Sequence, residues 1–112
     1  MAIEQWSESV LVGRLRDDPV LADDLDSIVA RIETDPCDVI LDFAEVTFVS
    51  SSNLAGILRL RNELRDRDAE KNILLSSVGP KILSTFTVTG IDKLFDFAEN
   101  LPMALAQLAI EE

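Results

Sequence analysis

The sequence predicts an α/β fold with a mixed, mostly parallel sheet of about four or five strands and about four helices. Three observations support this fold class. Short apolar runs without alternation, such as Val39-Ile40-Leu41, are typical of strands covered on both faces. Segments with apolar residues at helical spacing alternate with such runs from Val10 onwards. A length of 112 residues suits one hydrophobic core, so residues 1–112 are expected to form a single domain.

The chain begins with a predicted hairpin. Ile3 to Trp6 and Val10 to Leu15 are strand candidates, with a turn at Glu8-Ser9 between them. Trp6 is expected to pack within the first strand. Asp17-Asp18-Pro19 then predicts a helix start, because a carboxylate can cap free N–H groups and proline suits the first helical position. The apolar face of this helix consists of Leu21, Leu25, Ile28, Val29 and Ile32.

The remaining predicted elements alternate in the same way. They are a strand through Val39 to Phe43, a helix that follows Ser50–Asn53 and runs to about Asp68, a strand over Asn72 to Val78, a helix from Gly79-Pro80, a strand over Leu94 to Phe97, and a final helix. Gly90 is expected to end the third helix in the left-handed conformation. Asn100 is expected to cap the last helix, whose apolar residues are Leu101, Leu105, Leu108 and Ile110.

The composition argues against several classes of function. Histidine is absent, which excludes a histidine-dependent catalytic triad and a zinc site based on histidine. The four glycines never form a phosphate-binding loop, and no enzyme activity, cofactor or metal is predicted. A net charge of −11 argues against nucleic acid and anionic membranes as partners. No apolar stretch is long enough to insert directly into a membrane.

Cys37 is the only cysteine, so no disulfide can form within the chain. One free thiol fits a reducing compartment, and a cytoplasmic location is therefore expected. Cys37 is interpreted as a small residue at the start of a strand, because no histidine stands near it to lower its pKa.

Two groups of charged residues stand out. Five aspartates on and before the first helix are interpreted as complements of the helix dipole rather than metal ligands: Asp17, Asp18, Asp23, Asp24 and Asp26. Five of the ten lysines and arginines fall between Arg59 and Lys71, interleaved with four carboxylates. This pattern favours a solvated helix face with mixed ion pairs, and the alternative is a site for an acidic partner.

The segment Ser50-Ser51-Ser52-Asn53 lies between a predicted buried strand and an amphipathic helix. Loops beyond the carboxyl ends of parallel strands are where ligands and partners of such sheets bind. Ser and Asn both accept N–H bonds from a first helical turn, so capping is the simpler interpretation. Three successive hydroxyls at a helix N-terminus also make a phosphoacceptor site plausible, because the helix dipole tolerates added negative charge.

Three segments resemble the central signature of STAS domains, the sulfate-transporter and anti-sigma-factor-antagonist family. They are Val39–Phe43, Val46–Val49 and Ser50–Leu58, which follow the family's order of an apolar strand ending in Leu-Asp, a Val-x-Phe, and an Asp-Ser-Ser/Thr-Gly-Leu before an apolar helix. Downstream, Pro80 to Phe86 followed by Thr89 to Phe95 resembles the family's second hallmark, a helix that ends in a Gly-Leu and a short strand. Gly13-Arg14-Leu15 stands where the family often has Gly-Glu-Leu-Asp.

The resemblance implies a regulatory protein that binds an anti-sigma factor, itself a serine kinase of ATPase fold, with a phosphatase reversing the modification. The position that matches the family's phosphoacceptor is Ser51, with Ser50 and Ser52 as alternatives. The partner-binding residues expected from this hypothesis are Ser50, Ser51, Ser52, Asn53, Leu54 and Arg59.

Three residues depart from the family pattern. Ser50 replaces the acidic residue before the serine, Asn53 replaces a glycine, and Arg16 replaces an aspartate. The missing acid favours an alternative in which the domain is a constitutive, non-phosphorylated subunit or scaffold bound to a transporter ATPase or another signalling partner. A small nucleotide-binding or enzymatic domain is the third possibility and has little support. The sequence leaves the oligomeric state open.

Overall fold

Five strands form one sheet, in the order β1-β2-β3-β4-β5, in the computed structural model, which describes residues 3–68 and 70–111 and side chains up to residue 109. β1 (Ile3–Ser7) pairs antiparallel with β2 (Val10–Arg16). β3 (Asp38–Glu45), β4 (Ile73–Ser76) and β5 (Asp96–Ala98) extend the sheet, each parallel to its neighbour. The predicted mixed, mostly parallel sheet that begins with a hairpin is confirmed.

Helices cover both faces of this sheet unequally. α1 (Val20–Thr34), α2 (Ser51–Arg67) and α3 (Pro80–Thr89) pack on one face, where they share a large apolar core with Leu11, Leu41 and Leu75. α4 (Leu101–Glu111) packs on the other face, in a smaller core with Val12, Ile40 and Leu74. A short 3₁₀ turn, Ile91–Leu94, joins α3 to β5.

The register of the strands explains the apolar run in β3. Val12, Ile40 and Leu74 lie side by side in successive strands, and Leu41 and Leu75 follow one position later on the opposite face. Because both faces of β3 are covered, the successive residues from Asp38 to Leu41 are all buried, as a run without alternation predicts.

Two glycines allow the layers to approach closely. A Cβ atom on Gly13 of β2 would lie 2.8 Å from Cδ1 of Ile28 in α1. A Cβ atom on Gly56 of α2 would lie 3.2 Å from Cδ1 of Leu25 in α1. The second contact fixes how closely the amino-terminal halves of α1 and α2 pack together, which shapes the groove described below.

Several local predictions are confirmed. Gly90 ends α3 in the left-handed region, with φ of 78°. The side chain of Asn100 accepts a hydrogen bond of 2.9 Å from the N–H of Met103 and thereby caps α4. Cys37 is buried immediately before β3, and desolvation raises the pKa of its thiol. The predicted apolar side chain of Ile110 lies outside the described residues.

The prediction that Trp6 is a packing residue is wrong. Its side chain is 53% exposed, because β1 is an edge strand and α4 packs mainly on β3, β4 and β5. A tryptophan in a strand is therefore buried only if a helix covers its face, which the sequence of β1 does not reveal.

Several predicted boundaries also move, and α2 begins at Ser51 and not after Asn53. Pro19 is the N-cap of α1 and not its first residue, since the helix begins at Val20. β4 ends at Ser76 and not Val78, because Ser77 adopts φ of 57° and breaks the extended backbone. The last strand begins at Asp96 and not Leu94, because the chain first forms the 3₁₀ turn.

Candidate functional site at the amino end of α2

The segment between β3 and α2, residues 46–50, lies at the carboxyl edge of the sheet. Val46 and Val49 point into the core and hold this loop down, whereas Phe48 between them is 62% exposed. A large apolar side chain is therefore presented to solvent two residues before the N-cap of α2. The loop is fixed to the core and at the same time carries a surface for contact.

Asp17 holds the same loop from the opposite side. Its carboxylate accepts hydrogen bonds from the hydroxyl of Thr47 at 2.6 Å, from the N–H of Thr47 at 2.8 Å and from the N–H of Phe48 at 3.3 Å. These donors lower the pKa of Asp17, the hydroxyl contributing most. The predicted role of Asp17 as a helix-dipole complement is thus replaced by a tie between the β2–α1 connection and the β3–α2 loop.

Asp18, the next residue, does serve α1 as predicted. Its Oδ1 accepts a hydrogen bond of 3.2 Å from the N–H of Ala22 in the first turn. The same oxygen accepts a bond of 3.3 Å from Nδ2 of Asn53, which links the start of α1 to the start of α2. The amino ends of both helices therefore share one carboxylate.

Ser50 and Asn53 form a reciprocal cap on α2. The hydroxyl of Ser50 accepts the N–H of Asn53 at 3.1 Å, and Oδ1 of Asn53 accepts the N–H of Ser50 at 2.9 Å. This arrangement satisfies two backbone donors at once, as a capping box does. The capping interpretation is confirmed for Ser50 and Asn53.

The other two serines stand free of this cap. Ser51 and Ser52 are the first two residues of α2, and both are exposed. Of the remaining residues predicted for partner contact, Arg59 is exposed, Ser50 is half-buried, and Asn53 and Leu54 are buried at 3% and 7% exposure. The accessible part of the predicted surface consists of the two hydroxyls and Arg59.

A groove of about 600 Å³ runs between α1 and α2 beside these serines. One wall carries Asp18, Asp23 and Asp26, and the other carries Ser52 and Arg59. Apolar and small residues line it between the two walls: Pro19, Ala22, Leu25, Ala55 and Gly56. An exposed ion pair of 3.5 Å between Arg59 and Asp26 spans the two helices.

The sequence did not assign Phe48 to this region, and it assigned Asp17, Asp18, Asp23 and Asp26 only to the dipole of the first helix and not to a binding surface. The signal for the groove was available in Ala55-Gly56, two small residues in succession on an otherwise bulky helix, which favour close approach of a neighbouring helix. The signal for Asp17 was not available, since its partners lie about 30 residues further along the chain.

The arrangement offers acceptor hydroxyls and a docking surface. A phosphate on Ser51 or Ser52 would lie at the positive end of the α2 dipole, where the fold tolerates it. Ser52 also lines the groove that carries the aspartates. Among the described residues, no group of three or more His, Cys, Asp or Glu side chains is placed to hold a metal ion. No described helix has the length and apolar character that crossing a membrane requires.

The structure is a mostly parallel α/β sheet, and its strand–helix loop is rich in serine and capped. The comparison with protein families agrees with this class of structure. The model of the STAS domain family matches residues 7–104, so the chain belongs to the STAS domain family. The resemblance noted in the sequence is thereby confirmed. No curated protein matches the chain.

Solved structures show the same fold. The structure of an anti-sigma-factor antagonist (STAS) domain protein from Planctomyces limnophilus superposes with a TM-score of 0.80 at 23% identity, with 96% of this chain and 97% of that chain covered. The anti-sigma factor antagonist SpoIIAA in its unphosphorylated form gives a TM-score of 0.79 at 19% identity, covering 96% and 94%. The Bacillus cell fate determinant SpoIIAA in its phosphorylated form gives 0.74 at 18% identity, covering 95% and 96%.

Proposed function

We propose that the protein is an anti-sigma factor antagonist that acts by binding a partner, and that phosphorylation of Ser51 controls this binding. The observation that carries the proposal is the position of Ser51 within a STAS fold. Ser51 is exposed and is the first residue of α2, directly after Ser50, which already caps the helix. Ser51 is therefore available for modification without loss of the bonds that hold the loop.

The geometry supports Ser51 over its neighbours in two ways. The hydroxyl of Ser50 accepts a backbone N–H and the residue is half-buried, so a phosphate there would displace the cap. Ser52 is exposed like Ser51 but lies one residue further from the loop, on the wall of the groove. SpoIIAA, to which this chain is similar, has been described in both phosphorylated and unphosphorylated forms, which supports the same control here.

The proposed mechanism is electrostatic. A partner that docks on Phe48, the serines and the α1–α2 groove would bury the hydroxyl of Ser51. A phosphate adds nearly two negative charges at that point, next in sequence to Ser52, which lines the groove together with Asp18. Desolvating this charge without a partner cation opposes docking, whereas the isolated fold is little affected because the helix dipole faces the phosphate.

The expected partner is an anti-sigma factor that is also a serine kinase of ATPase fold, with a phosphatase restoring the free hydroxyl. The protein itself is proposed to perform no catalysis, and a cytoplasmic location stays a prediction.

The decisive experiment is intact-mass spectrometry of the protein after incubation with lysate of its own source, ATP and magnesium, followed by site mapping. We expect a single added phosphate on Ser51, absent in Ser51→Ala and retained in Ser52→Ala. Ser51→Asp should weaken the complex with the captured kinase by about 100-fold, because unfavourable charge placement at an interface costs several kcal/mol. Ser84→Asp, at an exposed serine of α3, is the matched control and should leave binding unchanged.

One observation favours a second candidate function. Ser50 stands where the family has an acidic residue, and its side chain is engaged in the cap of α2. A domain without that acid suits a constitutive, non-phosphorylated subunit or scaffold bound to a transporter ATPase. In that case no phosphate is found on Ser51, an ATPase partner is still captured, and Ser51→Asp does not weaken the complex.

A further inference from the structure

A second pocket lies at the opposite end of α2, between the carboxyl-terminal half of that helix, the start of β4 and the turn before β5. Its volume is about 80 Å³, and three cationic side chains converge on it: Arg61, Arg65 and Lys71. Of the described carboxylates, Asp96 alone lines it. In a chain of net charge −11, this concentration of positive charge is unusual.

Within the part of the chain that the structure describes, the three cations are not neutralised by ion pairs. Arg59 and Arg67, the other two cations of the same segment, pair with Asp26, Glu33 and Glu63. Among the described residues, no carboxylate lies within ion-pair distance of Arg61, Arg65 or Lys71. The predicted face of mixed ion pairs therefore accounts for only part of the segment.

The pocket is partly preorganised. Nε of Arg61 donates a hydrogen bond of 3.1 Å to the carbonyl oxygen of Leu94, which fixes the guanidinium against the 3₁₀ turn and leaves its terminal N–H groups for another acceptor. Arg65 lies one helical turn further along the same face of α2. Lys71 approaches from the loop that leads into β4, so the positive charges surround the pocket from two elements.

From this geometry we propose that the pocket binds a phosphate group. Planar arginine side chains hold tetrahedral oxyanions through paired N–H bonds, and lysine adds a point charge. A volume of about 80 Å³ is well below that of pockets for drug-sized ligands, so it accommodates the phosphate and excludes a nucleoside. The site is independent of the proposed function, because the pocket lies ten or more residues along α2 from Ser51, about 15 Å at the rise of a helix.

The test is a titration of the isotope-labelled protein by NMR at constant ionic strength, with inorganic phosphate, adenosine monophosphate, adenosine and acetate as separate probes. We expect phosphate to cause saturable shifts at the backbone amides of Arg61, Arg65, Lys71 and Leu94. Adenosine monophosphate should shift the same amides. If it binds more tightly than inorganic phosphate, the phosphate group that occupies the pocket belongs to a nucleotide. Saturable binding of adenosine alone, or equal shifts from acetate and phosphate, would overturn the proposal.

Variants separate binding in this pocket from general attraction to cations. Arg65→Gln and Lys71→Gln should each weaken phosphate binding about tenfold, because each removes one charge-assisted hydrogen bond. Lys81→Gln removes the same unit of charge from an exposed position on α3 and should have no effect. Lys71 lies outside any helix, so its variant tests the site without weakening α2. Equal phosphate affinities in these three variants would rule out the site. Ser51→Ala, at the other end of α2, should leave the phosphate titration unchanged.

Discussion

The two ends of α2 use polar side chains in different ways. At the amino end, Ser50 and Asn53 satisfy the backbone, which leaves Ser51 and Ser52 exposed. At the carboxyl end, Arg67 pairs with two glutamates, which leaves other cations without a carboxylate partner in the described part of the chain. At both ends some of the polar side chains are engaged within the protein, and the side chains that are not engaged are the candidates for function.

Below these surfaces the two ends are anchored alike. Leu54 near the amino end and Leu64 near the carboxyl end are 7% and 1% exposed, and both belong to the larger core. The contrast between the ends is therefore a contrast of surface chemistry, and substitutions that reach the core should not distinguish them.

The largest expected effect tests that equivalence. Leu54→Ala and Leu64→Ala should each lower the free energy of unfolding by about 2–5 kcal/mol, since each leaves a cavity in a packed core. Urea unfolding with an unchanged m-value measures the loss. Val88→Ala, at a side chain that is 86% exposed, is the control and should change the free energy by no more than about 0.5 kcal/mol. A loss below about 1 kcal/mol for Leu54→Ala alone would show that the amino end is not anchored in the core.

The next largest expected effect on stability distinguishes the two capping residues from the two exposed serines. Asn53→Ala should lower the free energy of unfolding by about 1–3 kcal/mol, because it leaves the N–H of Ser50 without its acceptor and breaks the bond to Asp18. Ser50→Ala should cost about 1 kcal/mol, the usual value of an N-cap.

Thermal unfolding of all four variants measures these changes, with Ser51→Ala and Ser52→Ala as the matched controls. Both should stay within about 0.5 kcal/mol of the unmodified protein. If Ser51→Ala destabilises the protein as much as Ser50→Ala does, the hydroxyl of Ser51 has a structural role. The distinction between a capping serine and exposed serines would then be wrong.

Much of this molecule was predictable from local patterns. The apolar run of β3, the glycine at the end of α3 and the asparagine before α4 each specify a structure through their own residue and its neighbours, and all three are found as expected. The capping role of Ser50 was predictable for the same reason. The resemblance to STAS domains added the family, on which the proposed function depends and which no local pattern contains.

What could not be predicted depends on contacts between distant segments. Trp6 is exposed because α4 packs mainly on other strands, and that helix begins almost a hundred residues later. Asp17 binds the loop at Thr47, and the groove exists because α1 and α2 meet at Gly56. Ser77 ends β4 in a left-handed conformation, which a serine residue does not predict.

A smaller effect, dependent on pH, concerns the tie at the amino end. The pKa of Asp17 is lowered from its ordinary value of 3.8 by the bonds from Thr47 and Phe48. The carboxylate therefore contributes stability that is fully present above pH 3.8 and is lost as the pH falls through the lowered pKa. Asp17→Asn should be less stable than the unmodified protein at neutral pH, and the difference should shrink towards acid pH.

Urea unfolding at a series of pH values measures this difference for Asp17→Asn. Asp66→Asn, at an exposed carboxylate near the other end of α2, provides the comparison. A difference for Asp17→Asn that is independent of pH would mean that the bonds to Thr47 and Phe48 do not depend on the charge of the carboxylate.

The smallest expected effect on stability concerns the ion pairs at the two ends. Arg59 pairs with Asp26 at 3.5 Å and Arg67 with Glu33 at 3.9 Å, and all four side chains are at least 44% exposed. Exposed pairs of this kind contribute little, so Arg59→Gln and Arg67→Gln should each change the free energy of unfolding by less than about 0.5 kcal/mol. Binding should separate them, because Arg59 lines the groove beside Ser52 and Arg67 does not. Calorimetry with the captured partner should show weaker binding for Arg59→Gln and unchanged binding for Arg67→Gln. Equal affinities of the two variants would place the docking surface away from the groove.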